Sequence, residues 1–167
     1  GNVIGGGDWA ENRIVPDCIK AWVKEVPVTI KSPSSTRPFQ HVLEPLSGYI
    51  SLAEKLNIND KLSGQSFNFG PLSNSNFKVI DVVKELSKNW EHSRWEINSN
   101  KSKCTESKLL KLNCDKALSL IQWGPNLNFE KTMEMTIDWY YDFYNKSNFD
   151  PFKKCCQQIK VFSSKTS

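Results

Sequence analysis

Arg37 is the residue whose chemistry is easiest to name from its neighbours. Pro38 follows it and favours an extended backbone at Arg37. The apolar residues Phe39, Val42 and Leu43 come next and anchor the segment. A guanidinium held in this way can bind two phosphate oxygens at once, and it stays charged at any working pH. A surface arginine on an edge strand is the alternative, and these residues alone leave both interpretations open.

Two asparagines stand beside glycine turns. Asn2 lies in the string Gly-Asn-Val-Ile-Gly-Gly-Gly-Asp-Trp, whose glycines fit neither G-x-G-x-x-G nor a Walker loop and so form a weak nucleotide fingerprint. Asn68 lies in a short predicted strand that Gly70 and Pro71 end. Alternation puts Asn68 on the side opposite its phenylalanine neighbours, where it either faces a ligand or braces the turn.

Helical periodicity predicts the elements that must position these residues. The pattern indicates helices over 13–24, from Pro45 to Leu56, over 78–90, after Asn113, and over 129–144. The helices from Arg13, Pro45 and Lys78 are predicted to bury their apolar stripes against one another, with Leu46 inside. They are expected to cover a short mixed sheet made of 26–31, 39–43 and 65–69, and 94–97 is a further predicted strand.

Composition and charge exclude several classes of protein. The 167 residues are 38% hydrophobic, which is enough for one core. The net charge of +4 comes from basic and acidic residues that are interleaved, which does not indicate a nucleic-acid partner. No apolar run or signal-peptide pattern indicates a membrane. Five cysteines without recurring spacing predict free thiols in the cytoplasm and no metal site.

Three strings together carry a family resemblance: Gly-Gly-Gly-Asp-Trp near the start, Arg-Ile-Val-Pro-Asp at 13–17, and Arg-Pro-Phe-Gln-His-Val-Leu-Glu-Pro at 37–45. From position 1 to about 144 the chain resembles the C-terminal part of the CDP-glucose 4,6-dehydratases, which are extended short-chain dehydrogenase/reductases. The resemblance implies an α/β fold in which helices pack on a small mixed sheet and the N-terminal Rossmann half is absent. We expect a nucleotide-sugar-binding domain over 1–148 and a mobile, basic polar tail over 149–167.

The resemblance also implies a set of substrate-binding residues. In the family, the asparagine that matches Asn2 lies beside the sugar and the diphosphate, and the arginine that matches Arg37 binds the diphosphate. The residues near the start of the first helix and in the second strand surround the base. The family's His-Glu-Ala element survives here only as a glutamate between Thr105 and Ser107. The candidate residues are Asn2, Arg13, Ile14, Lys31, Arg37, Asn68 and Glu106.

The family reaction implied by this resemblance converts CDP-glucose to CDP-4-keto-6-deoxyglucose in deoxysugar and O-antigen-type biosynthesis. NAD oxidises the sugar at C4, water leaves across C5 and C6, and the hydride returns to C6. The NAD fingerprint and the catalytic Tyr-x-x-x-Lys are expected before position 1, so we predict no catalytic residues here and no activity of this chain alone. CDP-glucose is the expected ligand, and the full-length protein is expected to be a homo-oligomer. A fragment of a related epimerase and a truncated, non-catalytic ligand-binding module remain alternatives.

Overall fold

The computed structural model describes residues 2–72, 77–98 and 110–164, and it confirms the α/β class. Glu106 and Cys104 lie outside the described residues. No helix in the described part of the chain is long and apolar enough to cross a bilayer. In chain order the elements are β1 (Asn2–Ile4), α1 (Ile14–Trp22), β2 (Val28–Ile30), β3 (Phe39–His41), α2 (Leu43–Leu56), a 3-10 helix (Asp60–Leu62), α3 (Val79–Ser87), β4 (Trp95–Ile97), α4 (Asp115–Ile121), α5 (Phe129–Asn145) and α6 (Pro151–Ser163).

The strands form two parallel pairs rather than the single mixed sheet that was predicted. β1 pairs with β3, and β2 pairs with β4, so the predicted strand at 94–97 is confirmed. The segment 65–69 is not a strand, because the side-chain amide of Gln40 rather than a strand backbone bonds the carbonyl of Phe69 at 2.8 Å. An isolated antiparallel bridge joins Thr36 to Lys78.

The main core lies between α1, α3, α5 and the strands. The stripes predicted for the first and third helices are confirmed, since the apolar residues of α1 and α3 pack against each other, those of α3 also pack against α5, and both sets are almost completely buried. The indole of Trp22 also donates to the carbonyl of Arg94 at 2.8 Å, which ties the end of α1 to the start of β4. The cluster consists of Ile4, Val15, Cys18, Ile19, Trp22, Val28, Ile30, Phe39, Val82, Val83, Leu86, Met133, Ile137, Trp139 and Tyr140.

The prediction that Leu46 is buried was wrong. Leu46 is 45% exposed, and the apolar stripe of α2 on which it lies faces outward. The inward face of α2 carries Glu44 and Gly48 instead. A Cβ at Gly48 would lie 2.4 Å from the ring of Phe69, so the missing side chain lets that ring pack against the helix.

The segment assigned to a basic polar tail contains α6. Asp150 caps its first turn by accepting from the amide of Lys153 at 3.1 Å, and proline follows as the first helical residue. Lys154 is buried and pairs with Asp138 and Asp142 of α5 at 2.5 and 2.6 Å. These ion pairs explain how a polar segment packs on α5. The division of the chain at 148 stays a prediction.

Candidate functional site

A cleft of about 570 Å³ opens where β1, the start of β3 and the first turns of α1 and α3 meet. Four of the seven candidate residues line it together, although they are far apart in the sequence. The lining residues are Asn2, Val3, Ile4, Asp8, Asn12, Arg13, Ile14, Val15, Pro16, Arg37, Phe39 and Val79.

The parallel pairing of β1 with β3 brings Asn2 close to Arg37. Asn2 stands opposite Phe39 in the register, and its amide donates to the carbonyl of Pro38 at 2.9 Å. Asn2, the first residue of β1, and Arg37, two residues before β3, therefore lie at the same end of the strand pair. The side chain of Asn2 supplies a neutral donor and acceptor next to a cation, an arrangement that can bind both the hydroxyl groups of a sugar and an anion.

Backbone groups around Arg37 hold it in place. Its Nη1 donates to the carbonyl of Thr36 at 2.8 Å, and its amide donates to the carbonyl of Phe77 at 3.4 Å. The residue is half-buried at the cleft wall rather than on an outer surface. This placement favours the phosphate interpretation over that of an edge-strand arginine, and the role of Arg37 in binding stays a prediction.

The start of α1 adds a second favourable environment for an anion. Arg13 is the residue before the helix, and no side chain caps the first-turn amides of Ile14 and Val15. Uncapped amides and the helix dipole favour negative charge at this point. The guanidinium of Arg13 meets the carboxylate of Asp8 at 3.1 Å, with side chains 61% and 27% exposed. Such an exposed pair is weak, so an anion in the cleft can compete with Asp8 for Arg13.

The loop between β1 and α1 is held by two aromatic residues of α5. The hydroxyl of Tyr140 donates to the carbonyl of Asp8 at 2.7 Å and accepts from the amide of Asp8 at 3.0 Å. The ring of Trp139 packs directly on Gly6, where a Cβ would lie 2.0 Å from its Cγ. Tyr140 is completely buried, and burial raises the pKa of its hydroxyl. α5 thus fixes the backbone that carries Asp8 and Arg13.

The chain is similar to known nucleotide-sugar dehydratases and epimerases. Over 140 residues the chain is 36% identical to the CDP-glucose 4,6-dehydratase of Salmonella typhimurium, a match that takes in 84% of this chain and 39% of that protein. The structure of UDP-glucuronic acid 4-epimerase from Bacillus cereus, in complex with UDP-glucuronic acid and NAD, superposes with a TM-score of 0.69 at 20% identity, over 86% of this chain and 44% of that one. The NAD complex of dTDP-glucose 4,6-dehydratase from Bacillus anthracis gives 0.63 at 16% identity, over 87% and 43%.

The chain has the fold of the C-terminal part of the extended short-chain dehydrogenase/reductases. Together with this fold, the similarity to the Salmonella dehydratase supports a place in the nucleotide-sugar dehydratase and epimerase family. No family model matches the chain. The chain spans less than half the length of the relatives that it matches.

The glycine turn of this dehydrogenase-like fold is built for packing rather than for a dinucleotide. A phosphate-binding glycine loop needs open space above its backbone, but Trp139 fills the space above Gly6. The Gly5–Gly7 turn therefore does not fit the pyrophosphate of NAD, a cofactor that is present in the complexes of the two solved relatives.

Two candidates lie away from the cleft, and a third cannot be placed. Lys31 is exposed just after β2. Burial raises the pKa of the Asp17 carboxyl, and the nearby positive charge of Lys31 only partly opposes that rise. The amide of Asn68 donates to the carbonyl of Asn113 at 3.2 Å, which agrees with the turn-bracing alternative. Glu106 lies outside the described residues. Substrate contacts of all three stay predictions.

Asp8 and Asn12 line the cleft but were missed by sequence reasoning. Asn12 has φ 59°, a left-handed conformation that asparagine tolerates better than most residues. The sequence did hold a signal for both residues, because aspartate and asparagine are typical of structured turns, and Asp8 and Asn12 both lie in the segment before a predicted helix. The position of Asp8 depends on its two hydrogen bonds with Tyr140 of α5, which sequence patterns do not reveal.

Proposed function

We propose that the chain is the nucleotide-sugar-binding portion of a cytoplasmic 4,6-dehydratase that converts CDP-glucose to CDP-4-keto-6-deoxyglucose. The observation that carries the proposal is the convergence of Arg37, Arg13 and Asn2 on one cleft with the uncapped start of α1. A nucleoside diphosphate sugar needs a cationic, amide-lined site for its diphosphate and neutral polar groups for its sugar. The cleft offers both within about 570 Å³.

The 36% identity to the Salmonella dehydratase supports CDP-glucose as the substrate. An epimerase fragment remains the second candidate, because a UDP-glucose 4-epimerase of Mycoplasma pneumoniae is 22% identical and an epimerase complex shares the fold. The free thiols of the four described cysteines support a reducing compartment such as the cytoplasm. A homo-oligomeric full-length protein remains part of the proposal.

The deciding experiment is calorimetric titration of the full-length protein with CDP-glucose. Arg37→Ala removes a charge-assisted hydrogen bond to the diphosphate, worth about 1.5 to 3 kcal/mol. Affinity for CDP-glucose should therefore fall by roughly tenfold to a hundredfold. Arg37→Lys keeps the charge but loses the two-pronged geometry, so we expect an intermediate loss.

Lys88→Ala is the matched control, because it removes an exposed cation that pairs with Glu85 outside the cleft. Its affinity for CDP-glucose should stay within about twofold of the original, as expected for a surface substitution. Unchanged affinity of Arg37→Ala would contradict the proposal. Tighter binding of UDP-glucose than of CDP-glucose by the unmodified protein would favour the epimerase instead.

A further inference from the structure

A second cavity, of about 420 Å³, opens between the end of α1, the loop that follows α3 and the last turns of α5. It shares no lining residue with the cleft that contains Arg37 and Arg13. Its volume lies within the range of about 300 to 1,000 Å³ that is usual for small-ligand sites. The function proposed above leaves this cavity without a role.

Three aromatic rings line this cavity, and we call them the aromatic corner: Trp90, Tyr141 and Tyr144. The centroid of the Trp90 ring lies 6.0 Å from that of Tyr141 and 6.2 Å from that of Tyr144, and the ring planes are close to perpendicular in both pairs. The two tyrosines lie one turn apart on α5 and are 41% and 40% exposed. Since the face of an aromatic ring carries partial negative charge, rings arranged in this way beside one cavity attract a cation.

Two carboxylates add full negative charge beside the aromatic corner. Glu25 and Glu91 line the same cavity, and neither forms an ion pair with any residue in the part of the chain that the structure describes. Arg94 donates to the backbone carbonyl of Glu25 rather than to its carboxylate. Lys88 and Lys146, which directly follow α3 and α5, pair with other carboxylates at 2.6 and 2.7 Å. The cavity therefore combines aromatic walls with two carboxylates that have no counterion among the described residues.

A neighbouring cavity of about 600 Å³ lacks this excess of negative charge. It shares Trp90, Glu91 and Tyr141 with the first cavity. Its two further carboxylates, those of Glu134 and Asp138, already pair with lysines at 2.6 and 2.5 Å. Because a lysine balances each of these charges, they attract a second cation less strongly. A cationic ligand is therefore better matched by the smaller cavity.

We propose that the aromatic corner, together with Glu25 and Glu91, binds an organic cation that carries an alkylammonium or guanidinium group. Such a group lies against the ring faces and is attracted by the two carboxylates, whereas an anion would be repelled. A metal ion fits less well, because the described residues contain no group of three or more histidine, cysteine or acidic side chains placed to hold one. The cation can belong to a small molecule such as choline or to an arginine side chain of a peptide, and the test separates these sources. The inference is independent of CDP-glucose.

The test is fluorine NMR of the full-length protein, labelled with fluorotryptophan and titrated separately with choline, with N-acetylarginine amide and with a neutral analogue of choline. In that analogue a tert-butyl group replaces the trimethylammonium group, so the shape is kept and the charge is lost. At least one of the two cations should shift the signal of Trp90, which Trp90→Phe identifies, and should bind at least about fivefold more tightly than the neutral analogue. Binding of choline alone would support a small-molecule ligand, and binding of N-acetylarginine amide alone would support a peptide arginine.

A pair of substitutions tests the contribution of the carboxylates. Glu91→Gln removes the charge of an exposed side chain and keeps its shape, so it should weaken binding of the cation about threefold and leave binding of the neutral analogue unchanged. Glu54→Gln, at an exposed position of α2, is the matched control and should change neither. The proposal would be overturned if neither cation shifted the Trp90 signal or if the neutral analogue bound as tightly as the cations. Equal effects of Glu91→Gln and Glu54→Gln would overturn it as well.

Discussion

Protonation of His41 should destabilise the folded protein as the pH falls from 6.5 toward about 4. His41 ends β3 and is 1% exposed, and its Nδ1 accepts from the amide of Leu43 at 3.3 Å. The neutral ring therefore carries its proton on Nε2, which has no partner among the described residues. Burial lowers the pKa of this imidazole from its ordinary value of 6.5 to about 4, since charging it would place an unpaired cation in the core.

The magnitude follows from the difference between the folded and unfolded pKa values. Because the folded value is the lower one, the unfolded chain binds more protons between pH 6.5 and about 4. The neutral imidazole's contribution is complete above pH 6.5 and is lost as the pH falls toward 4. The free energy of unfolding should fall by about 2 kcal/mol between pH 7 and pH 5, and by about 3 kcal/mol in total.

Chemical denaturation at half-unit steps from pH 7.5 to pH 4.5 measures this loss. His41→Asn keeps an acceptor near the amide of Leu43 but cannot titrate, so its curve should lack the acid-dependent fall. The chain has two histidines, and His92→Asn identifies the ring signals of His41 in an NMR titration. An imidazole of His41 that titrates above about pH 6 in the folded protein would refute the reasoning. Parallel stability curves for the original protein and His41→Asn would refute it as well.

Two further substitutions test the packing around the cleft and α2, each measured by its unfolding midpoint. Gly6→Ala would drive a methyl group into Trp139 and should lower the free energy of unfolding by at least about 2 kcal/mol. Gly124→Ala is the control, because its added Cβ meets its nearest atom at 3.9 Å, and it should lower that free energy by under about 1 kcal/mol. Equal effects would show that Trp139 moves aside. Glu44→Ala removes the buried carboxylate that accepts from the amides of residues 126 and 127 at 2.7 to 3.1 Å, and it should cost about 2 to 4 kcal/mol. The exposed Glu54→Ala should change stability by under about 0.5 kcal/mol, and a similarly small effect at Glu44 would contradict the importance of its hydrogen bonds.

Helices α1, α3 and α5 were predictable because their signal is local. Apolar residues recur at the helical period along each of them, and that period alone selects which side is buried. α6 had local signals too, in its Asp-Pro start. Its basic, polar composition nevertheless indicated a tail, because the burial of Lys154 depends on two carboxylates supplied by α5.

The orientation of α2 could not be predicted from its own residues. The helix has apolar residues on one side, and the opposite side carries a glutamate and a glycine, so periodicity alone assigns the wrong face to the core. Gly48 admits the ring of Phe69, and Glu44 satisfies two backbone amides before α5. Both partners are distant in the sequence, and they decide which face turns inward.

The sequence by itself nominated Arg37, Arg13 and Asn2 through residue type, neighbouring proline and glycine, and family resemblance. Only the tertiary structure brought them to one cleft, because the register of β1 on β3 and the hold of α5 on the loop depend on contacts between distant residues. The tertiary structure also left Lys31 and Asn68 outside that cleft. The chemistry that a side chain can perform is inferred from its residue type in the sequence. The distances between side chains depend on how the chain packs, which only the tertiary structure shows.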